Sequence, residues 1–142
     1  MRTFALVLGL IFALIGIAGF IPGLLAPPDR PGELMFDGGH GLLFGLFPVN
    51  WLHNLVHLAF GVWGLAASRG WGSSRAYARS VAIIYGVLTV MGFIPGLHTT
   101  FGLVPLYGNA IWLHGLITVA AAYFGWVARV PADRMADTTV RT

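Results

Sequence analysis

Three histidines in an otherwise apolar chain, His53, His57 and His114, are the residues with the most chemistry to offer. His53 and His57 stand four apart in "LFPVNWLHNLVHLAFGVWG", residues 46–64, so a helix through this stretch stacks both imidazoles on one face. Asn50, Asn54, Gly61 and Gly64 fall on or beside that face, making it the polar, small side of an apolar helix. A neutral imidazole can donate from one nitrogen and accept at the other, ligate a transition metal, or take an axial position on haem iron. The hydrogen-bonded reading joins the histidines to Asn50, Asn54 and loop carbonyls, at about 0.6 to 2 kcal/mol per bond, and is the one the sequence favours. Two cofactor readings stand beside it. In one, His57 and His114 hold a b-type haem axially from facing helices of a bundle. In the other, a zinc- or copper-type divalent ion binds His53 and His57, with His40 or Asp37 completing the set.

The chain as a whole is strongly apolar. Of 142 residues, 57% are hydrophobic and 9% charged, with a mean hydropathy of +0.80. An average soluble domain carries roughly a quarter charged residues, so the composition is that of a chain solvated by lipid. The net charge of +3 comes from eight scattered arginines with no lysine, a pattern without the basic block that binds nucleic acid. No cysteine is present, which removes disulfides, thiolate metal sites, thiol nucleophiles and covalent c-type haem.

Four apolar stretches approach the ~20 residues that a helix needs to cross about 30 Å of hydrocarbon. They run from about Phe4 to Leu25, Pro48 to Ala67, Tyr77 to Leu97 and Pro105 to Arg129. No acidic residue falls inside them, so carboxylate-based proton-coupled transport lacks its central group. The serines are confined to the turn between the second and third stretches and the start of the third, leaving no acid–base constellation for a serine hydrolase. Seven of the eight arginines lie on one side of this four-span arrangement, which the positive-inside rule makes cytoplasmic along with both termini. Trp51, Trp71, Trp112, Trp126, Tyr77 and Tyr107 gather near the expected helix ends, as interfacial anchors do.

The chain also repeats itself. "GFIPGL" stands at residues 19–24 and again at 92–97, an offset of 73 that also pairs Ala5, Gly9 and Ala13 with Ala78, Ala82 and Gly86. Small residues four apart let membrane helices approach closely. "FGLFP" at 44–48 matches "FGLVP" at 101–105 at an offset of 57, and the same offset pairs His57 with His114. The difference between the offsets is a 16-residue insertion in the outer loop of the first copy. Pro22 and Pro95 are expected to end or kink their helices, and Pro48 and Pro105 to start the following ones. His57 and His114 each lie nine residues beyond such a proline, about 13 Å along a helix, in the outer half of a bilayer.

"GFIPG" at 19–23, "FGLFPVNWLHNLVHLAFGVWGL" at 44–65 and "NAIWLHG" at 109–115 closely resemble an uncharacterised family of small bacterial four-helix membrane proteins, classed as a domain of unknown function. The resemblance extends from residue 4 to about 127 and is most specific at 44–65. It implies a four-span fold and a membrane location, and brings no known reaction or cofactor.

The sequence thus describes an all-α integral membrane protein, a four-helix transmembrane bundle built from two tandem parallel helical-hairpin repeats in one domain, 1–142. Repeat 1 covers about 4–67, with its insertion at about 26–41; repeat 2 covers about 77–129; a polar tail follows at 130–142. The expected role is a non-enzymatic accessory or structural subunit of the bacterial inner membrane, associating with other membrane subunits or with copies of itself. The alternative is a haem b- or metal-binding redox module. Orientation is directly testable: a cysteine replacing Ser74 should resist an impermeant external thiol reagent, and one replacing Gly38 should be labelled. Labelling of the Ser74 position with protection of Gly38 in intact cells contradicts the orientation.

Overall fold

In the computed structural model, which describes residues 1–129, four α-helices carry a small sheet: α1 (Arg2–Ala18), α2 (Trp51–Ala67), α3 (Trp71–Phe93) and α4 (Asn109–Ala122). A π-helical turn, Tyr123–Val127, extends α4. Among the described residues, Trp71–Phe93 and Asn109–Val127 are long and apolar enough to cross a membrane, and Arg2–Ala18 is a shorter apolar helix.

The prolines act at the ends of α1 and α3 as their chemistry requires. Ile21 and Ile94, which precede Pro22 and Pro95, both adopt extended backbone, and the helices stop before them. Pro48 and Pro105 do not open helices, contrary to expectation. Pro48 lies in a strand paired with Leu42, and α2 begins three residues later behind an asparagine cap. Helix α3 begins at Trp71 rather than Tyr77, because the hydroxyls of Ser73 and Ser74 donate to the Ala67 carbonyl at 2.8 and 2.9 Å and fold the Ser68–Gly70 turn tightly.

The expectation of an all-α chain also misses an antiparallel sheet, β1 (Leu25–Ala26), β2 (Gly41–Leu43) and β3 (Phe47–Val49), in that order. Its strands are two or three residues long, too short for any alternation to register in sequence. The repeated "FGL" has a conformational reason: Phe44–Gly45 and Phe101–Gly102 all have φ between 54 and 83°, the left-handed region. Glycine adopts it freely, and each tight outer turn needs one there.

Helices α1 and α2 pack closely, as do α3 and α4, while contact between the pairs is sparser. In the first pair small residues carry the approach: a Cβ on Gly9 would lie 2.8 Å from the Leu65 nitrogen, and one on Gly64 2.8 Å from the Gly9 Cα. The second pair is looser, since a Cβ on Gly86 would meet only the Thr118 methyl at 3.4 Å. A buried layer of Ala5, Phe12, Tyr77, Val81, Tyr85 and Ala121 joins the two pairs.

At one end, arginines satisfy the free carbonyls of helix ends. Arg2 Nε donates to Ser68 O, and Arg75 and Arg79 Nε both donate to Gly125 O, each at 2.9 Å. The acidic residues of the described chain, Asp29, Glu33 and Asp37, lie in the loop at the other end.

The contact at Gly9 predicts that Gly9→Ala destabilises the protein by about 1–3 kcal/mol, because backbone faces the new methyl on α2. Gly72→Ala, where the methyl meets nothing within 4 Å, should be neutral or slightly stabilising. Thermal unfolding in detergent checks the pair; equal melting temperatures for both variants contradict the close-packed seam.

Candidate functional site: a buried histidine cluster

Asn50 places the first histidine. As the cap of α2 it accepts from the His53 amide at 2.9 Å, while its own amide donates to Phe36 O at 3.0 Å and Leu103 O at 2.7 Å. One carboxamide therefore starts the helix and ties both outer loops to it. His57 follows one turn below His53, and His114 comes from α4 on the other helix pair.

The three imidazoles converge. One ring nitrogen of each lies within 4.8 Å of the others, and all three side chains are buried, at 5, 7 and 3% exposure for His53, His57 and His114. Ring centroids are 4.4 Å apart for His53 and His57, and 6.0 Å for His53 and His114. Aromatic rings hold them from two sides. Phe12 stacks on His57 at 5.6 Å, and Tyr85 meets His114 edge-on at 4.9 Å.

The Asn50 bond to His53 engages the backbone amide rather than the imidazole, and the three ring Nδ1 atoms, of His53, His57 and His114, find no hydrogen-bond partner. Both polar atoms of the Asn54 side chain are likewise enclosed without a partner. An unpaired polar group away from water costs about 1–3 kcal/mol, so the cluster is a concentration of unmet bonding capacity.

The other residues singled out from sequence are elsewhere. His40 bonds the Tyr107 hydroxyl at 2.9 Å, beside a loop in which Glu33 meets Arg30 at 3.8 Å and His98 at 3.3 Å. Burial holds the His40 imidazole below its usual pKa, against the opposing pull of Asp29, Asp37 and Glu33. Neither His40 nor Asp37 is part of the histidine cluster, so the set His53, His57, His40 and Asp37 is not brought together; His114 takes the third place. His57 and His114, the pair considered for haem, do meet, with His53 beside them.

Two walls of the site, Phe12 and Tyr85, escaped the sequence reading. A signal was present, because the offset of 73 that relates the "GFIPGL" copies also pairs position 12 with position 85. Each helix pair therefore contributes one aromatic ring against one histidine. His53 breaks the correspondence, since the offset of 57 pairs it with Ala110.

Three spaces adjoin the cluster, the smallest a recess of about 70 Å³ that touches all three histidines and is lined also by Leu43, Phe47 and Val49. A groove of about 300 Å³ runs between α1 and α4, from Phe4 and Ala120 to Ile15 and Leu113, and among the described residues His57 and His114 are its only polar lining. A recess of about 230 Å³ opens between α2 and α3, reaching His53, His114 and Tyr85.

A family model, described as Domain of unknown function (DUF4383), matches residues 2–127. The chain belongs to the DUF4383 family. No curated protein and no solved structure matches it. The matched span of this DUF4383 chain contains all four helices, the sheet and every residue of the cluster.

Proposed function

We propose that this DUF4383 protein is a four-span integral membrane protein of the bacterial inner membrane that binds one first-row transition-metal ion, zinc or copper, through His53, His57 and His114. The observation that carries the metal reading is the convergence of three buried imidazoles whose Nδ1 atoms have no other partner. Three imidazoles are a sufficient protein ligand set for a tetrahedral ion that keeps its fourth position open, and imidazole suits zinc and copper alike. Ligation through Nδ1 would satisfy three groups that otherwise cost free energy.

Support for the membrane setting comes from all four helices. Leu14, Val62, Val87 and Val119, one on each, are between 55 and 69% exposed, a surface that favours hydrocarbon over water. The described arginines at the helix ends, Arg2, Arg69, Arg75 and Arg79, gather at one end, which the positive-inside rule assigns to the cytoplasm. The cluster then lies in the outer half of the bilayer. An ionisable group at that depth is costly and favours a functional reading.

Packing counts against haem as the occupant. A macrocycle ligated by His57 and His114 would need a flat slot between them, and His53 and Phe12 stand close to His57, with ring centroids 4.4 and 5.6 Å from its own. A single ion needs no such slot. The role of an accessory subunit that associates within the membrane is compatible with metal binding and draws on the same exposed helix faces.

Protein stripped by chelator and reloaded should take up zinc or copper close to one per chain. His53→Gln, His57→Gln and His114→Gln should each weaken binding by at least tenfold, since an amide is a poor substitute for imidazole. His40→Gln should bind as the unaltered chain does. Substoichiometric metal that ignores all three substitutions, or a Soret band in the purified protein, contradicts the proposal.

A further inference from the structure

The ligand set has an electrostatic consequence. Three neutral imidazoles leave the full charge of a divalent ion uncompensated, and an isolated charge in a low-dielectric interior is heavily penalised. Among the described residues the acidic side chains are Asp29, Glu33 and Asp37, all in the outer loop and none in the cluster. None of these described side chains supplies the balancing anion.

The space that reaches the cluster defines what can bring it. The groove between α1 and α4 meets His57 and His114 at one end and is otherwise lined by aliphatic and phenyl side chains. It follows α1 from Ile15 to Phe4, about 16 Å at the helical rise of ~1.5 Å per residue. Such a slot, polar only at one end, fits an amphiphile with a small anionic head and a single aliphatic tail.

Resting on the metal reading above, we propose that the groove binds a long-chain fatty acid, its carboxylate supplying the fourth ligand to the ion and its tail lying between α1 and α4. The carboxylate neutralises part of the ion's charge where no described protein carboxylate is present. The tail covers apolar side chains that the loose packing between the two helix pairs leaves open. His57 and His114 serve both ends of the arrangement: each is a member of the ligand cluster and each lines the groove.

The test uses delipidated full-length protein in nanodiscs, loaded with cobalt(II) as a visible probe of coordination, and titrated with dodecanoate, octanoate and dodecanol. Dodecanoate should bind one per chain and shift the cobalt absorption bands, should bind at least tenfold tighter than octanoate, and should lose its binding when chelator removes the metal. Dodecanol should leave the cobalt spectrum unchanged. Ala120→Phe, which fills the end of the groove remote from the histidines, should erase the advantage of dodecanoate over octanoate while the cobalt content stays near one per chain.

Dodecanol binding as tightly as dodecanoate overturns the carboxylate, and equal affinity for the two acids in the unaltered chain overturns the tail slot. Stoichiometric, histidine-dependent cobalt with no response to dodecanoate overturns this inference and leaves the metal reading in place. Failure to bind cobalt overturns both, and the histidine variants identify that case.

Discussion

The carboxamide of Asn50 fixes where the histidines stand. Its oxygen takes the amide proton of His53, and its nitrogen reaches carbonyls in both outer loops, so the start of α2, the insertion and the second loop share one anchor. Each of these bonds is buried or partly buried, where an unpaired amide carries the full cost of desolvation. Helical geometry then stacks His57 beneath His53, and the packing of the second helix pair brings His114 to them. A neighbouring carboxamide, that of Asn54, lies against Gly19 with no partner at all, which shows how differently two adjacent asparagine environments can be satisfied.

The contrast between the two kinds of helix contact gives the molecule its working shape. Within the first pair, glycine brings α2 against the backbone of α1, leaving no room for a methyl group. Between the pairs, larger side chains meet along a central layer and diverge on both flanks, which leaves the groove and the recess that reach the histidines. Tight packing therefore positions the histidines, and loose packing gives access to them. The arginines at one end and the acidic loop at the other keep formal charge away from this middle zone, so the imidazoles are its polar centre.

Much of this was legible in the sequence, for physical reasons that differ by element. Hydrophobic length located the four helices, and the "FIPG" prolines ended α1 and α3 because proline pushes the residue before it out of the helical region. The i,i+4 spacing put His53 and His57 on one buried face. The sheet was illegible because strands this short carry no period. The start of α3 was misplaced because two serine hydroxyls, rather than hydrophobicity, decide where it begins. Residue type and a place in the insertion make His40 a candidate to complete the His53/His57 set, but a tyrosine far along the chain bonds it instead. That His53, His57 and His114 form one cluster depends on how two helix pairs dock, which no local pattern encodes; the shared offset of His57 and His114 was the nearest available clue.

The central claim is that three imidazoles ligate a single ion, and X-ray absorption at the zinc edge of the zinc-loaded protein addresses it most directly. The account predicts a four-coordinate ion with three imidazole nitrogens at about 2.0–2.1 Å and one further light-atom ligand. A six-coordinate shell of oxygen atoms without the multiple-scattering signature of imidazole contradicts it.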